Sequence, residues 1–204
     1  MLKQNVLKLL VSATLLLTLC GTALLGCTES KPQFNSVDIT GVNYGKKFTL
    51  NDHNGVERNL TDFAGKVVVV FFGYTQCPDV CPTSMMELAQ VKKLLGKDGD
   101  KVQGIFITLD PERDTPEVLK AYMESFDASF LALYTTTNNL PTLAKEFKVY
   151  YKKVDGKTAT SYTIDHTAGS YVFDTKGALR LFTRHASGAE KLASDIKLLL
   201  KQGG

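Results

Sequence analysis

The chain has 204 residues, 44% of them hydrophobic and 22% charged. That composition leaves room for one ordinary globular domain and excludes a fibrous or low-complexity chain. The formal charge is +3, of which Lys3 and Lys8 supply two, so the rest is almost neutral. Its Lys and Arg are scattered, which excludes a nucleic-acid partner.

The N-terminus reads as an export signal. Lys3 and Lys8 give a positive start, and residues 9–19 form an apolar core. It ends at Leu24-Leu25-Gly26-Cys27, which resembles the lipobox of bacterial lipoproteins. There the Cys becomes the acylated first residue of the mature chain. Cys20 fits less well, because Leu19 stands where a small residue is needed. The predicted organisation is a signal peptide over 1–26, a flexible tether over 27–45 from lipidated Cys27, and a folded domain over 46–204. An uncleaved anchor over residues 6–25, roughly the 20 residues a spanning helix needs, is one alternative, and plain secretion is another. The first two readings hold the domain to a membrane on its extracytoplasmic side. Of the four cysteines, Cys20 would leave with the signal and Cys27 would carry lipid. Cys77 and Cys81 remain, too few for a stapled fold, and read as a working site.

Residues 28–43 are polar and aperiodic, as a tether should be. Residues 47–50 are a short strand candidate, followed by the turn Asp52-His53-Asn54-Gly55. Residues 67–72, VVVVFF, form a short, wholly apolar run and predict a strand buried on both faces. Gly73 and residues 74–79 make a turn. Pro82 then suits the first position of a helix running from Thr83 to about Leu95, with Leu88, Val91 and Leu95 facing the sheet and Gly96 as the stop. Residues 102–109 are a second strand. Asp110 to Glu117 form an ordered charged loop, with Thr115 capping a helix that reaches about Phe126. A strand over 130–133 and a helix over 140–147 follow, the helix turning Leu143, Ala144 and Phe147 inward. Residues 150–163 suggest a hairpin turning at Asp155-Gly156, and residues 164–169 a loop. Strands over 170–173 and 179–183 and a helix over 190–201, bearing Leu192, Ile196 and Leu199, complete the chain. This order predicts an α/β, thioredoxin-like fold: a central mixed sheet flanked by helices, with N-terminal and hairpin insertions.

Cys77 and Cys81 fall at the carboxyl end of the central strand, where open α/β sheets place their sites. Four residues apart on a helical turn, they share one face. A helix N-terminus favours the thiolate. The pair therefore suits a soft metal ion or redox chemistry, with two structural cysteines as the plain alternative. In this fold type the loop before the final hairpin faces the cysteine turn. Here it carries His166 rather than a proline.

The segments FFGYTQCPDVCPT, TLDPERDTPE and Asp165-His166-Thr167 together resemble the Sco/SenC family of copper-binding thioredoxin-like proteins, over most of the chain from about Asp38. The resemblance implies one copper per chain, as Cu(I) or Cu(II), bound by Cys77, Cys81 and His166. The donor set alone would also accept zinc. It further implies an upstream copper donor and delivery to the binuclear copper site of cytochrome c oxidase. The cysteine turn and the loop around His166 would form the docking face. Asp165 could orient the imidazole, and Asp79 could bond backbone donors at the helix start or belong to the docking face. Met85 and Met86 read as packing residues, and His53 and His185 as solvated ones. Two other activities fit the same thiols: a thiol–disulfide reductase keeping the target's cysteines reduced, and a peroxiredoxin-type peroxidase.

Overall fold

The computed structural model of the chain describes residues 33–158 and 161–203. The expected signal peptide and Cys27 lie outside them. Among the described residues no helix is long and apolar enough to cross a membrane.

The strands are β1 (Val37–Asp38), β2 (Thr49–Asp52), β3 (Glu57–Asn59), β4 (Val67–Gly73), β5 (Val102–Thr108), β6 (Leu131–Tyr134), β7 (Tyr151–Asp155), β8 (Tyr162–His166), β9 (Gly169–Phe173) and β10 (Leu179–Arg184). The α-helices are α1 (Val80–Leu95), α2 (Pro116–Glu124), α3 (Leu140–Glu146) and α4 (Ala189–Gly203). Eight strands form one mixed sheet in the order β1-β10-β9-β4-β5-β6-β2-β3, while β7 and β8 pair as a separate ribbon. β4 pairs with β5 in parallel and with β9 antiparallel.

All seven residues of β4 are buried, as an apolar run with no polar face requires. Its side chains alternate between two cores. Val67, Val69 and Phe71 meet Leu88 and Val91 of α1, Leu119 of α2 and Ile196 of α4. Val68, Val70 and Phe72 meet Leu140 and Ala144 of α3 and Phe147. Each such side chain contributes roughly 1.5–3 kcal/mol through burial, so this strand is the axis of both layers.

Several elements differ from expectation. The sheet begins within the stretch read as tether: Val37 and Asp38 pair with Phe182 and Leu181. The buried Asp195 carboxylate accepts hydrogen bonds from the Asn35 and Ser36 backbones at 2.8 Å each. Phe34 packs against one core and Ile39 and Val42 against the other, so the segment is ordered by an inward carboxylate, a short strand pairing and a few apolar contacts without hydrophobic periodicity. Helix α1 starts at Val80, so Pro82 is its third residue. A proline is tolerated there because first-turn N–H groups have no helical partner in any case. Residues 164–166, expected in a loop, close β8 instead, and His166 pairs with Tyr151. Tyr74, expected in an exposed turn, is buried.

Candidate metal centre

Three elements bring the centre together. Strand β4 ends at Gly73, and the chain turns through residues 74–77, where the Cys77 N–H donates to the Tyr74 carbonyl at 3.2 Å. Helix α1 then starts, placing Cys81 in its first turn. The Cys81 sulfur sits against the end of β4. A Cβ added to Gly73 would lie 2.7 Å from it and 2.8 Å from the Phe71 ring, so only glycine leaves room there. The third candidate arrives on β8, 85 residues along the chain, with His166 Nε2 lying 3.4 Å from Cys81 Sγ.

The Cys77, Cys81 and His166 ligand atoms all lie within 4.8 Å of one another. Metal–ligand bonds of about 2.0–2.3 Å place the donors of a three-coordinate site roughly 4 Å apart. Two sulfurs and one imidazole nitrogen at this spacing therefore fit a single soft metal ion. Both cysteines are free thiols. Cys77 is half-buried and Cys81 has no exposed surface, so the pair has an inner and an outer sulfur.

The expected effect of the helix end on Cys81 is reversed. Burial pushes its thiol well above the ordinary range, and the neighbouring Cys77 and Asp114 push the same way; only a backbone hydrogen bond from Tyr74 opposes them. Desolvation of the charged form outweighs a helix end. His166 moves in the direction that suits a ligand. Burial lowers its pKa, against smaller upward contributions from the Thr167 carbonyl and Asp165, so the ring is neutral at pH 7. Its Nδ1 lies 3.0 Å from the Thr167 carbonyl. A carbonyl only accepts, so Nδ1 carries the proton and the Nε2 lone pair faces the sulfurs. Phe71 and Tyr74 present their rings to the imidazole at 6.0 Å each, at 81° and 84°.

The carboxylates expected to assist stand elsewhere. Asp165 is exposed, and the ring is oriented by the Thr167 carbonyl instead. Asp79 occupies the N-cap position of α1 with no side-chain capping bond, and it is exposed. Met85 is buried in the core, whereas Met86 is 55% exposed. His53 and His185 are half-buried rather than solvated. His53 Nδ1 accepts from the Ala132 N–H at 3.1 Å, and His185 Nδ1 lies 3.0 Å from Ser84 Oγ.

The charged loop after β5 supports the cysteine turn from below. Asp114, 2% exposed, accepts from Thr75 N at 3.1 Å, from Thr75 Oγ1 at 2.6 Å and from Thr108 Oγ1 at 2.6 Å. Burial still holds its carboxyl above the usual range despite those bonds. Arg113 bonds Asp110, Gln76 and the Tyr162 carbonyl. Sequence reasoning marked this loop as ordered, but it carried no sign that the loop reaches 37 to 39 residues back to the cysteine turn.

The SCO1/SenC family model matches residues 37–201. A "SCO2-like protein" of Rickettsia felis is 34% identical over 180 residues, covering 86% of this chain and 88% of that one. Bradyrhizobium japonicum ScoI, solved with copper bound, is 41% identical, covers 76% of this chain and 99% of its own, and superposes with a TM-score of 0.70. The apo Sco1 protein of Thermus thermophilus is 34% identical, with 83% and 99% covered and a TM-score of 0.73. The fold is thioredoxin-like, and with a family match running from β1 into α4 the chain belongs to the SCO1/SenC family.

Proposed function

We propose that this chain is an extracytoplasmic copper chaperone, with Cys77, Cys81 and His166 as the ligands of one copper ion. One observation carries the reading: folding places three soft or borderline donors, two of them 85 residues apart, within 4.8 Å of one another. Thiolates prefer Cu(I) and imidazole also suits Cu(II), so this set serves either state. The copper bound to the Bradyrhizobium relative, 41% identical to this chain, supports the choice of metal.

Copper is cargo here. An acceptor's ligand would approach the half-buried Cys77 first, while the fully buried Cys81 keeps hold of the ion together with the half-buried His166. Bonds to the acceptor form as bonds to this chain break, so the ion is never free and needs no change of oxidation state. By family resemblance the acceptor is the binuclear copper site of cytochrome c oxidase, loaded after an upstream donor fills this chain. Lipid on Cys27 would hold the domain at the membrane surface.

Anaerobic copper titration of the full chain, with metal and thiols counted together, tests the reading. One copper per chain with both thiols protected supports it. Unprotected thiols exchanging rapidly with disulfides would move the function to a thiol–disulfide reductase. His166→Ala should keep a Cu(I) site and lose stable Cu(II) binding, and an unchanged Cu(II) spectrum would rule out the three-ligand site. A peroxidase needs an arginine on its thiolate. The arginine nearest the cysteine turn, Arg113, is bonded to Asp110, Gln76 and the Tyr162 carbonyl instead.

A further inference from the structure

The two halves of the centre belong to separate parts of the fold. Cys77 and Cys81 sit at the end of the main sheet, whereas His166 ends a ribbon that forms its own two-stranded sheet. A ribbon of this kind is not stable by itself, so its position is set by contacts with the rest of the fold: Ile164 and Tyr151 pack against the main cores, and β9 follows His166 within three residues. At the Tyr162 end, Arg113 ties the ribbon to the cysteine turn. Its Nη1 donates to Gln76 Oε1 at 3.1 Å, next to Cys77, and to the carbonyl of Tyr162 at 3.0 Å, the first residue of β8. Its guanidinium carbon lies 3.4 Å from the Tyr162 ring centroid and 5.8 Å from that of Tyr74. Its Nε donates to Asp110, which also accepts from the Tyr162 hydroxyl at 2.7 Å. One planar group thus touches the cysteine turn, the loop after β5 and the strand that carries His166.

Arg113 Nη2 is buried without an acceptor among the described residues. Leaving a charged donor unpaired is costly, and a planar fork held between two rings is worth that cost where its placement matters more than its solvation. We infer that Arg113 is a positioning residue for the metal centre, clamping the His166 ribbon to the cysteine turn and so setting the distance between imidazole and thiols. The inference rests on the proposed copper reading for its metal readouts and on the metal-free protein for its third.

The test uses the full chain with Arg113→Ala and Arg113→Lys. Arg180→Ala serves as a control, breaking the Arg180–Asp174 ion pair on β10. Copper(II) is the probe. In Arg113→Ala the Cu(II) dissociation constant should rise about 10–100-fold, the range for losing a partner that orients a ligand. Its Cu(II) absorption should move toward that of His166→Ala, and the His166 amide should exchange faster in the metal-free protein. Lysine, a point charge without the fork, should restore none of these, and Arg180→Ala should leave all three unchanged. Rescue by lysine, or a Cu(II) affinity and spectrum unchanged in Arg113→Ala, overturns the clamp and leaves the copper reading standing. If the unsubstituted chain binds no copper, the copper reading falls and the exchange rate at His166 alone decides the clamp. Should Arg113→Ala fail to fold, Gln76→Ala replaces it; unchanged Cu(II) affinity in that variant also overturns the inference.

Discussion

Cys81 meets two opposing demands. A metal ligand needs a thiolate, yet this sulfur is fully buried and its pKa is raised chiefly by that burial. The proton therefore stays on the sulfur in the metal-free protein at neutral pH and must leave when copper enters. His166 adds no competing proton there, because burial lowers its pKa. The sign follows: as pH rises, protons compete less for Cys81 and copper affinity increases, with protons released on binding across about pH 6–8. Calorimetry in buffers of different ionisation enthalpy measures that release. Zero release, with an affinity flat in pH, would mean that Cys81 is not a ligand. The three candidate ligands were legible because each sits in a recognisable run of residues. The Thr167 carbonyl was not, since a backbone group leaves no mark on residue type. His53 and His185 were read as solvated for the same reason: their partners, the Ala132 N–H and Ser84, lie 79 and 101 residues away.

Among the elements, β4 was readable to within one residue, Gly73 closing the strand rather than opening the turn, because burial on both faces demands an unbroken apolar run. The start of α1 and the end of β8 were not. Proline marks a first turn without saying which residue of it, and Tyr162 to His166 buries only Ile164 fully, too little for a periodic signal. Gly73 shows how closely β4 and α1 are fitted. Its backbone needs no positive φ, so its role is purely one of space. Gly73→Ala would drive a methyl against Cys81 Sγ, Phe71 and Phe106, at 2.7, 2.8 and 3.0 Å. The expected cost is about 1–3 kcal/mol of stability, as for other overpacked sites, together with a displaced Cys81. Thermal unfolding and copper stoichiometry read the two effects separately. A variant with full stability and full copper binding would show that the junction is loose.

At the scale of the whole molecule, the order of strands could not be read from the chain. Neither the pairing of β2 with β6 nor that of β1 with β10 is encoded in any local pattern. The N-terminal segment is held by Asp195, which is fully buried on α4 and accepts from Asn35 N, Asn35 Nδ2 and Ser36 N. Asp195→Ala should cost about 1–3 kcal/mol and speed hydrogen exchange over residues 35–38, while leaving copper stoichiometry intact. Unchanged exchange there would mean that the β1 pairing holds the segment unaided.

The short outer strands have a consequence for how copies of this protein meet. An eight-stranded sheet with long, bare margins would offer each neighbour a template for adding strands, the first step toward fibrils. Here one margin is a stub of two residues, Val37–Asp38, and the other a stub of three, Glu57–Asn59. Asp38, Glu57 and Arg58 set charge on both. Among the described residues, the margins of the main sheet thus leave molecules gathered at high local density little rail to zip along.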